Sequence, residues 1–336
     1  MCSYVLPLSW PRDLGRRELT AYIERLTDAC PEIIIVDGSP QPEFAKNHKA
    51  FGHLVRHVAL DPQTPGKMRK VPAVMTGVTL ASHEAVVIAD DDVRYESVSL
   101  IRAVQLLDEV DLVRPQNYFD PLPWHARWDT ARTLLNRAIG ADFPGTLAVR
   151  RSTLLAVGGY DANVVFENLE LIRTVRAAGG QVITPLDLYV RRLPPSTRHF
   201  IAQRPRQAYE DFAIPARMTC WLAILPSLLA FRRRRLQISL VLGGAVAVAE
   251  RGRRRSGGRN VFPLVSSLLA PAWLLERSVC AWLAVLMRVG YGGLRYRGTV
   301  IFTAANSTQT LRKRVRTTSG GHATSTLDNA RRPPFM

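Results

Sequence analysis

VVIADDDV, residues 86–93, is a buried-strand run that ends in three consecutive carboxylates, Asp90, Asp91 and Asp92. Adjacent carboxylates repel one another, so the triplet needs a cation or a dense set of donors, and magnesium or manganese is the natural guest. A solvated acidic turn or a helix cap would give the same letters, so the context decides. Upstream, residues 4–8 are a short apolar run, residues 14–29 place Leu14, Leu19, Ile23 and Leu26 at helical spacing, and residues 33–36 read as a strand. Asp37-Gly38-Ser39-Pro40 stops that strand in turn chemistry, and a helix over 71–81 leads into the strand over 85–89. Alternating strands and helices predict an α/β fold with a mostly parallel sheet, whose ligands sit at the strand carboxyl ends. Asp37 and the triplet are then expected to face one crevice. Downstream, a strand over 147–150, the turn Gly158-Gly159 and a helix over 169–178 closed by Gly179-Gly180 complete a domain ending near residue 200.

Charge divides the chain at about the same place. Of 336 residues, 45 are Lys or Arg and 28 are Asp or Glu. Residues 1–200 carry 23 of each sign, whereas 201–336 carry 22 basic and 5 acidic side chains. With 47% hydrophobic residues the chain is neither a disordered tail, a collagen nor a small disulfide scaffold. Cys2, Cys30, Cys220 and Cys280 show no metal or disulfide spacing, which fits a reducing compartment. The N-terminus lacks a basic n-region, and Pro7 and Pro11 break its apolar run, so no secretory signal is expected and the first 200 residues should stay cytosolic.

Apolar stretches over 214–231 and 236–249 flank the arginines at 232–235; a second pair, 261–275 and 278–289, follows an arginine-rich segment at 251–259. Arginines that bracket apolar runs, with no polar or aromatic interleaving, point to an anionic membrane and away from nucleic acid. If every run crossed the bilayer, the arginines at 232–235 and 251–255 would fall on opposite sides, against the cytoplasmic preference of basic loops. At least one run is therefore expected to be re-entrant or interfacial. Two spans, including 261–289 bent near Glu276 and Arg277, stay open.

IIIVDGS at 33–39, PGKMRK at 65–70, VVIADDDV at 86–93, GTLAVRRSTLLAVGGYD at 145–161, FENLELIRTVRAAGG at 166–180 and QRPRQ at 203–207 together resemble a family 2 glycosyltransferase of the GT-A fold. The C-terminal part, with YGGLRYRG at 291–298, is similar to the membrane-bound, lipid-directed branch that includes ceramide glucosyltransferases and carotenoid glycosyltransferases. The resemblance implies a catalytic domain over 1–210 and a membrane-associated helical region over 211–300. A basic tail over 301–336 follows, expected to be disordered where Gly, Ser, Thr and Pro dominate from Ser319. It also implies that Asp37 binds the base or ribose of a nucleotide-diphosphate sugar and that Lys67 lies near the nucleotide. Asp90 and Asp92 would be the outer members of a DxD motif, with Asp92 the ligand of Mg2+ or Mn2+. Gly145 and Thr146 would border the acceptor. QRPRQ matches Q-x-x-R-W through Gln203 and Arg206, with Gln207 in the tryptophan position; the guanidinium fork of Arg206 suits charge developing on a leaving diphosphate.

The sequence departs from the family at FEN, 166–168, where Asn168 stands in place of the usual catalytic aspartate. An amide cannot act as a general base, so Glu167 or Glu170 takes the proton or the acceptor needs little help. Glu167 is the choice here, although a carboxylate in the first turn of a helix also needs no function. His48, His53 and His57 have no metal spacing and read as surface or loop residues. Trp124 and Trp128, at i and i+4, could stack on a sugar, but core packing is the simpler reading. The expected activity is inverting transfer of a hexose, from a UDP-sugar, to a hydroxyl of a lipid or lipid-linked acceptor. It would take place at the cell membrane, with the catalytic domain on the cytoplasmic face. The alternative, motivated by Asn168 and Gln207, is a non-catalytic membrane-bound sugar-nucleotide sensor or scaffold.

Overall fold

Alternating side chains on one strand build two cores at once. In the computed structural model, which describes residues 1–315, strand β1 (Ser3–Leu8) sends Tyr4, Leu6 and Leu8 to one face and Val5 to the other. Next come α1 (Arg16–Thr27), β2 (Glu32–Asp37), α2 (Gln41–Phe51), β3 (Arg56–Ala59), α3 (Lys70–Leu80) and β4 (Ala85–Ala89). β1 lies between β2 and β4 and is parallel to both, and β3 continues the parallel run. Every residue from Ile33 to Val36 is buried, as expected of a strand covered on both faces.

The chain continues through β5 (Val93–Arg94), α4 (Ser97–Gln105), β6 (Leu112–Val113), β7 (Gln116–Phe119), α5 (Trp124–Ile139) and β8 (Thr146–Arg150). It then forms α6 (Arg151–Ala156), α7 (Glu167–Ala177), β9 (Val182–Ile183), β10 (Tyr189–Arg192) and α8 (Thr197–Tyr209). The seven-stranded sheet has the order β3-β2-β1-β4-β8-β6-β9 and is mostly parallel; β8 runs antiparallel to both neighbours. This reversal brings the start of β8 to the carboxyl end of β4, where the Asp90 amide donates to the Gly145 carbonyl at 2.9 Å. A small sheet, β5-β10-β7, sets Arg192 opposite Val93, immediately after the acidic triplet.

The basic third adds α9 (Pro215–Ala230), α10 (Arg235–Arg254), α11 (Leu264–Leu268), α12 (Ala270–Tyr291) and a hairpin of β11 (Leu294–Tyr296) and β12 (Thr299–Ile301). Among the described residues only α12 is long and apolar enough to cross a membrane, and α9 is a shorter apolar helix. The sequence suggested a bend near Glu276 and Arg277, but α12 runs unbroken through both; the break comes earlier, between α11 and α12. Buried partners make the bend unnecessary. Glu276 accepts from Arg204 of α8 at 2.7 Å and from the Trp128 indole of α5 at 2.8 Å, and Arg277 lies 3.7 Å from Asp211. The opposite side of α12 exposes Leu275, Val279, Trp282, Leu283, Leu286 and Val289, and the first half of α10 exposes Leu236, Leu240, Val241 and Leu242. α12 therefore buries the Glu276–Arg277 pair among small and apolar residues on its inner side and carries an apolar stripe outward.

The first part of the expected tail, over 301–315, is packed against the rest of the chain. Thr303 bridges Val164, the Phe166 amide donates to Ala304, and Leu311 is buried, so residues up to 315 belong to the packed body. The rest of that tail, including the stretch from Ser319, lies outside the described residues. A core of Val71, Leu169, Tyr209, Ala281, Leu294 and Ile301, among others, spans both sides of residue 210. It ties the C-terminal helices and the hairpin to the α/β body.

Candidate active site

The carboxyl end of β4, the start of β8, the N-terminus of α7 and one face of α8 converge on a cleft of about 310 Å³. Asp90, Asp92, Glu167, Gln203 and Arg206, five of the residues singled out from sequence, all line it. Around the acidic triplet the chain gathers cations. The Lys70 ammonium lies 2.5 Å from Asp90 and 2.9 Å from Glu167, and Arg192 reaches Asp92 at 2.9 Å and Asp90 at 3.4 Å. Asp91 accepts from the Trp10 indole. Gly145 is fixed by crowding: a Cβ there would stand 2.8 Å from an Asp90 oxygen and 3.0 Å from the Arg192 guanidinium carbon.

Burial and neighbouring charge shift these groups apart. Burial raises Asp90 even against the pull of Lys70 and Arg192, and burial beside Asp92 pushes Asp91 up to about 6. Glu167 is also desolvated, but Lys70 first and Arg206 second hold it below the usual range, so it stays ionised. Glu210, on the cleft wall, is raised by burial to about 7 despite Arg206. Arg206 itself is raised, because Glu167 and Glu210 outweigh its desolvation, and its guanidinium lies 5.1 Å from the Tyr296 ring centroid.

Three polar atoms of cleft residues, Asp92 Oδ1, Arg132 Nε and Arg206 Nε, are buried without a hydrogen-bond partner. A buried orphan of this kind calls for a ligand. No group of three or more His, Cys, Asp or Glu able to hold a metal occurs among the described residues. A carboxylate pair with one vacant oxygen fits a hard divalent ion that draws its other ligands from substrate phosphates and water.

Other expectations require correction. Asp37 does not face the cleft: it is 1% exposed, one oxygen accepts from the Ser39 amide at 2.8 Å, and the other meets Asn47 at 2.8 Å and His57 at 3.2 Å. His57 is accordingly a buried partner of Asp37 and no loop histidine, whereas His48, stacked on Phe44 and His57, is exposed on α2, a surface residue as expected. Lys67 also misses the cleft and donates to the Val300 carbonyl at 2.7 Å; the cleft lysine is Lys70, three residues later in PGKMRK. The Thr146 hydroxyl is buried and donates to Ile88. Glu170 is fully buried and accepts from the Asn306 amide and side chain, both at 2.7 Å, so of the two candidate bases only Glu167 lines the cleft. Asn168 sits 3.4 Å from Lys70, and Gln207 accepts from Arg204 at 2.8 Å. Trp128 packs in the interior as expected, but Trp124 is 56% exposed.

Lys70, Asp129, Arg132, Arg192, Glu210 and Tyr296 are among the cleft residues that the sequence reading did not single out. Lys70 had a signal, since it closes PGKMRK and opens α3, the helix that leads into the strand ending in the triplet. Arg192 and Glu210 had none, because each arrives through tertiary pairing; Tyr296 stands within YGGLRYRG, 291–298.

No protein-family model matches the chain, and no curated protein does. Solved structures do. A mannosyltransferase from Pyrobaculum calidifontis in complex with GDP-Man and Mn2+ shares 17% identity over 85% of this chain and 86% of its own, with a TM-score of 0.48. Glucosyl-3-phosphoglycerate synthase from Mycobacterium tuberculosis, in complex with Mn2+, UDP and glucosyl-3-phosphoglycerate, shares 17% over 61% of this chain and 77% of its own, at a TM-score of 0.41. The same synthase with Mg2+ and UDP gives 16%, 61%, 77% and 0.39.

Proposed function

We propose that the chain is a metal-dependent inverting glycosyltransferase that moves a hexose from a nucleotide-diphosphate sugar, a UDP-sugar, to a hydroxyl of a lipid or lipid-linked acceptor. One observation carries the reading: two carboxylates at a strand end, with the Asp92 Oδ1 orphan, share a cleft with four cations, Lys70, Arg132, Arg192 and Arg206. This charge pattern suits a diphosphate beside a carboxylate-held ion. Asp90 and Asp92 would hold Mg2+ or Mn2+, which when bound would neutralise charge on the diphosphate.

The protein's own groups do the rest. Glu167, ionised by its pairing with Lys70, takes the proton of the acceptor hydroxyl as that oxygen bonds to the anomeric carbon. The bond from that carbon to the diphosphate breaks, and the leaving oxygen keeps the electron pair beside Arg206 and Arg192. Direct displacement inverts the anomeric centre. Arg206 lines the same cleft and, like Lys70, acts electrostatically on Glu167; its guanidinium would meet charge that develops only as the leaving group departs.

A lipid acceptor and a location at the cytoplasmic face of the cell membrane rest on the outward apolar stripe of α12, the exposed half of α10 and the exposed arginines at 232–235. The test is transfer from radiolabelled UDP- and GDP-sugars into membrane lipid extract by detergent-solubilised protein, with and without Mn2+. Metal-dependent label in the lipid fraction supports the reading. Donor binding with no transfer to any acceptor would replace it with a sugar-nucleotide sensor.

A further inference from the structure

The cleft has a second lobe that the reaction above leaves unassigned. It holds about 150 Å³, shares Lys70, Asp90, Asp91 and Tyr296 with the main cleft, and runs toward the carboxyl ends of β1 and β2. Leu8 and Leu60 supply an apolar wall, Ser9 a polar rim, and Arg297 lies at its mouth.

That mouth is made by the turn of the β11–β12 hairpin. Its two central residues have positive φ, 46° at Arg297 and 79° at Gly298, the backbone of the tight turns that join two strands directly. Asn, Asp or Gly are the usual occupants of the first position, so an arginine there is an outlier worth a functional question. From this turn Arg297 reaches across the lobe and donates to the Ser9 hydroxyl at 2.9 Å and the Ser9 carbonyl at 3.5 Å. Lys67 fastens the hairpin from the other side through Val300, and Tyr209 donates to the adjoining Phe302 carbonyl at 2.7 Å. Tyr296, lining both lobes, has Arg206 at 5.1 Å and Arg297 at 5.8 Å from its ring centroid. Asp37 has both oxygens bonded within the protein and does not line this lobe, whereas Arg297 does.

We propose that the β11–β12 hairpin clamps the nucleoside end of the donor, with Arg297 contacting the base or ribose in the second lobe. This rests on the sugar-nucleotide reading and deepens it. An elongated site whose far lobe has an apolar wall and a polar rim matches a heterocycle joined to a diphosphate, with the diphosphate at the triplet and the sugar in the larger lobe. The clamp comes from the C-terminal segment, so donor recognition depends on residues almost the whole chain away from β1.

Calorimetric titration of the full chain with UDP and with GDP in Mn2+ tests this, with inorganic pyrophosphate in Mn2+ as a probe of the triplet alone. Arg297→Ala should weaken whichever nucleotide binds by about tenfold, the scale of one charged hydrogen bond. Arg297→Lys should recover part of the loss, and pyrophosphate should bind both variants like the wild type. Unchanged nucleotide affinity in Arg297→Ala overturns the clamp while leaving the transferase reading intact. Equal losses for nucleotide and pyrophosphate also overturn it, since Arg297 would then act only as a general positive charge. A wild-type protein that binds neither probe overturns the transferase reading and the clamp with it.

Discussion

Asp92 is the most demanding residue of the cleft, with one oxygen on Arg192 and the other buried and vacant. Asp92→Asn removes the charge while keeping the shape, and should lower metal-dependent transfer at least 100-fold with an unchanged far-ultraviolet circular dichroism spectrum. Glu167→Gln should lower kcat by 10²- to 10⁴-fold, the usual weight of a general base, with little change in donor affinity measured by titration. Gly145→Ala tests crowding alone: the added methyl meets Asp90 and Arg192, so activity should fall even though no chemical group is lost. Away from the cleft, Glu32 gives a clean pH signal. Burial opposes its ionisation, but bonds from the Ser3 hydroxyl, the Ser82 amide and hydroxyl, and His83 bring it down to about 2 from 4.5. A depressed carboxylate contributes stability above its unfolded value and loses it as pH falls through the folded one. Urea midpoints should therefore drop between pH about 4.5 and about 2, and Glu32→Gln should flatten that slope.

Among the elements, the joint between α8, α5 and α12 sets how the helical region meets the cleft. Arg204 of α8 donates to Asp129 of α5 at 2.7 Å, to Glu276 of α12 at 2.9 and 2.7 Å, and to Gln207 at 2.8 Å. Gln207 lines the cleft one residue from Arg206, so this joint also aligns the helix that carries Arg206. Asp129 is held down to about 2 because Arg132 and Arg204 overcome its desolvation. Arg204→Ala takes from buried Asp129 one of its two arginines and from Glu276 its arginine, and should lower the midpoint of thermal unfolding. Much of this element layer was legible: the helical spacing of Leu19, Ile23 and Leu26 and the strand run 85–89 match α1 and β4 closely. The reversal of β8 was not, because strand direction is set by pairing partners, and GTLAVR reads the same either way.

At the level of the whole molecule, the charge imbalance and the apolar exposure fall in the same third of the chain. Val289 of α12 is 80% exposed and Leu236 of α10 is 75% exposed, too much apolar surface for a helix whose outer side meets only water. The protein should co-sediment with phosphatidylglycerol vesicles and bind phosphatidylcholine vesicles much more weakly, with the difference shrinking in 0.5 M salt as arginine attraction at ~1 kcal/mol per residue is screened. Leu236→Glu with Leu240→Glu should weaken vesicle binding while leaving nucleotide titration unchanged.

By itself the sequence determined which residue types stand at the strand ends and where the charge lies. Hydrophobic periodicity is a local property, and an acidic triplet ending a buried strand is chemically conspicuous wherever it occurs. Only the tertiary structure decided which carboxylates are free to act. Asp37 and Asp92 are equally conspicuous in the sequence, yet Asn47 and His57 close over the first while the second keeps a vacant oxygen. The same holds for the cations: Lys67 and Lys70 differ by three residues, less than one helical turn, and the start of α3 aims one at the hairpin and the other at the triplet. Hydrogen-bond satisfaction depends on what folds back from afar. The partners that matter most here, Arg192, Arg206 and Tyr296, come from 100 or more residues downstream of the triplet.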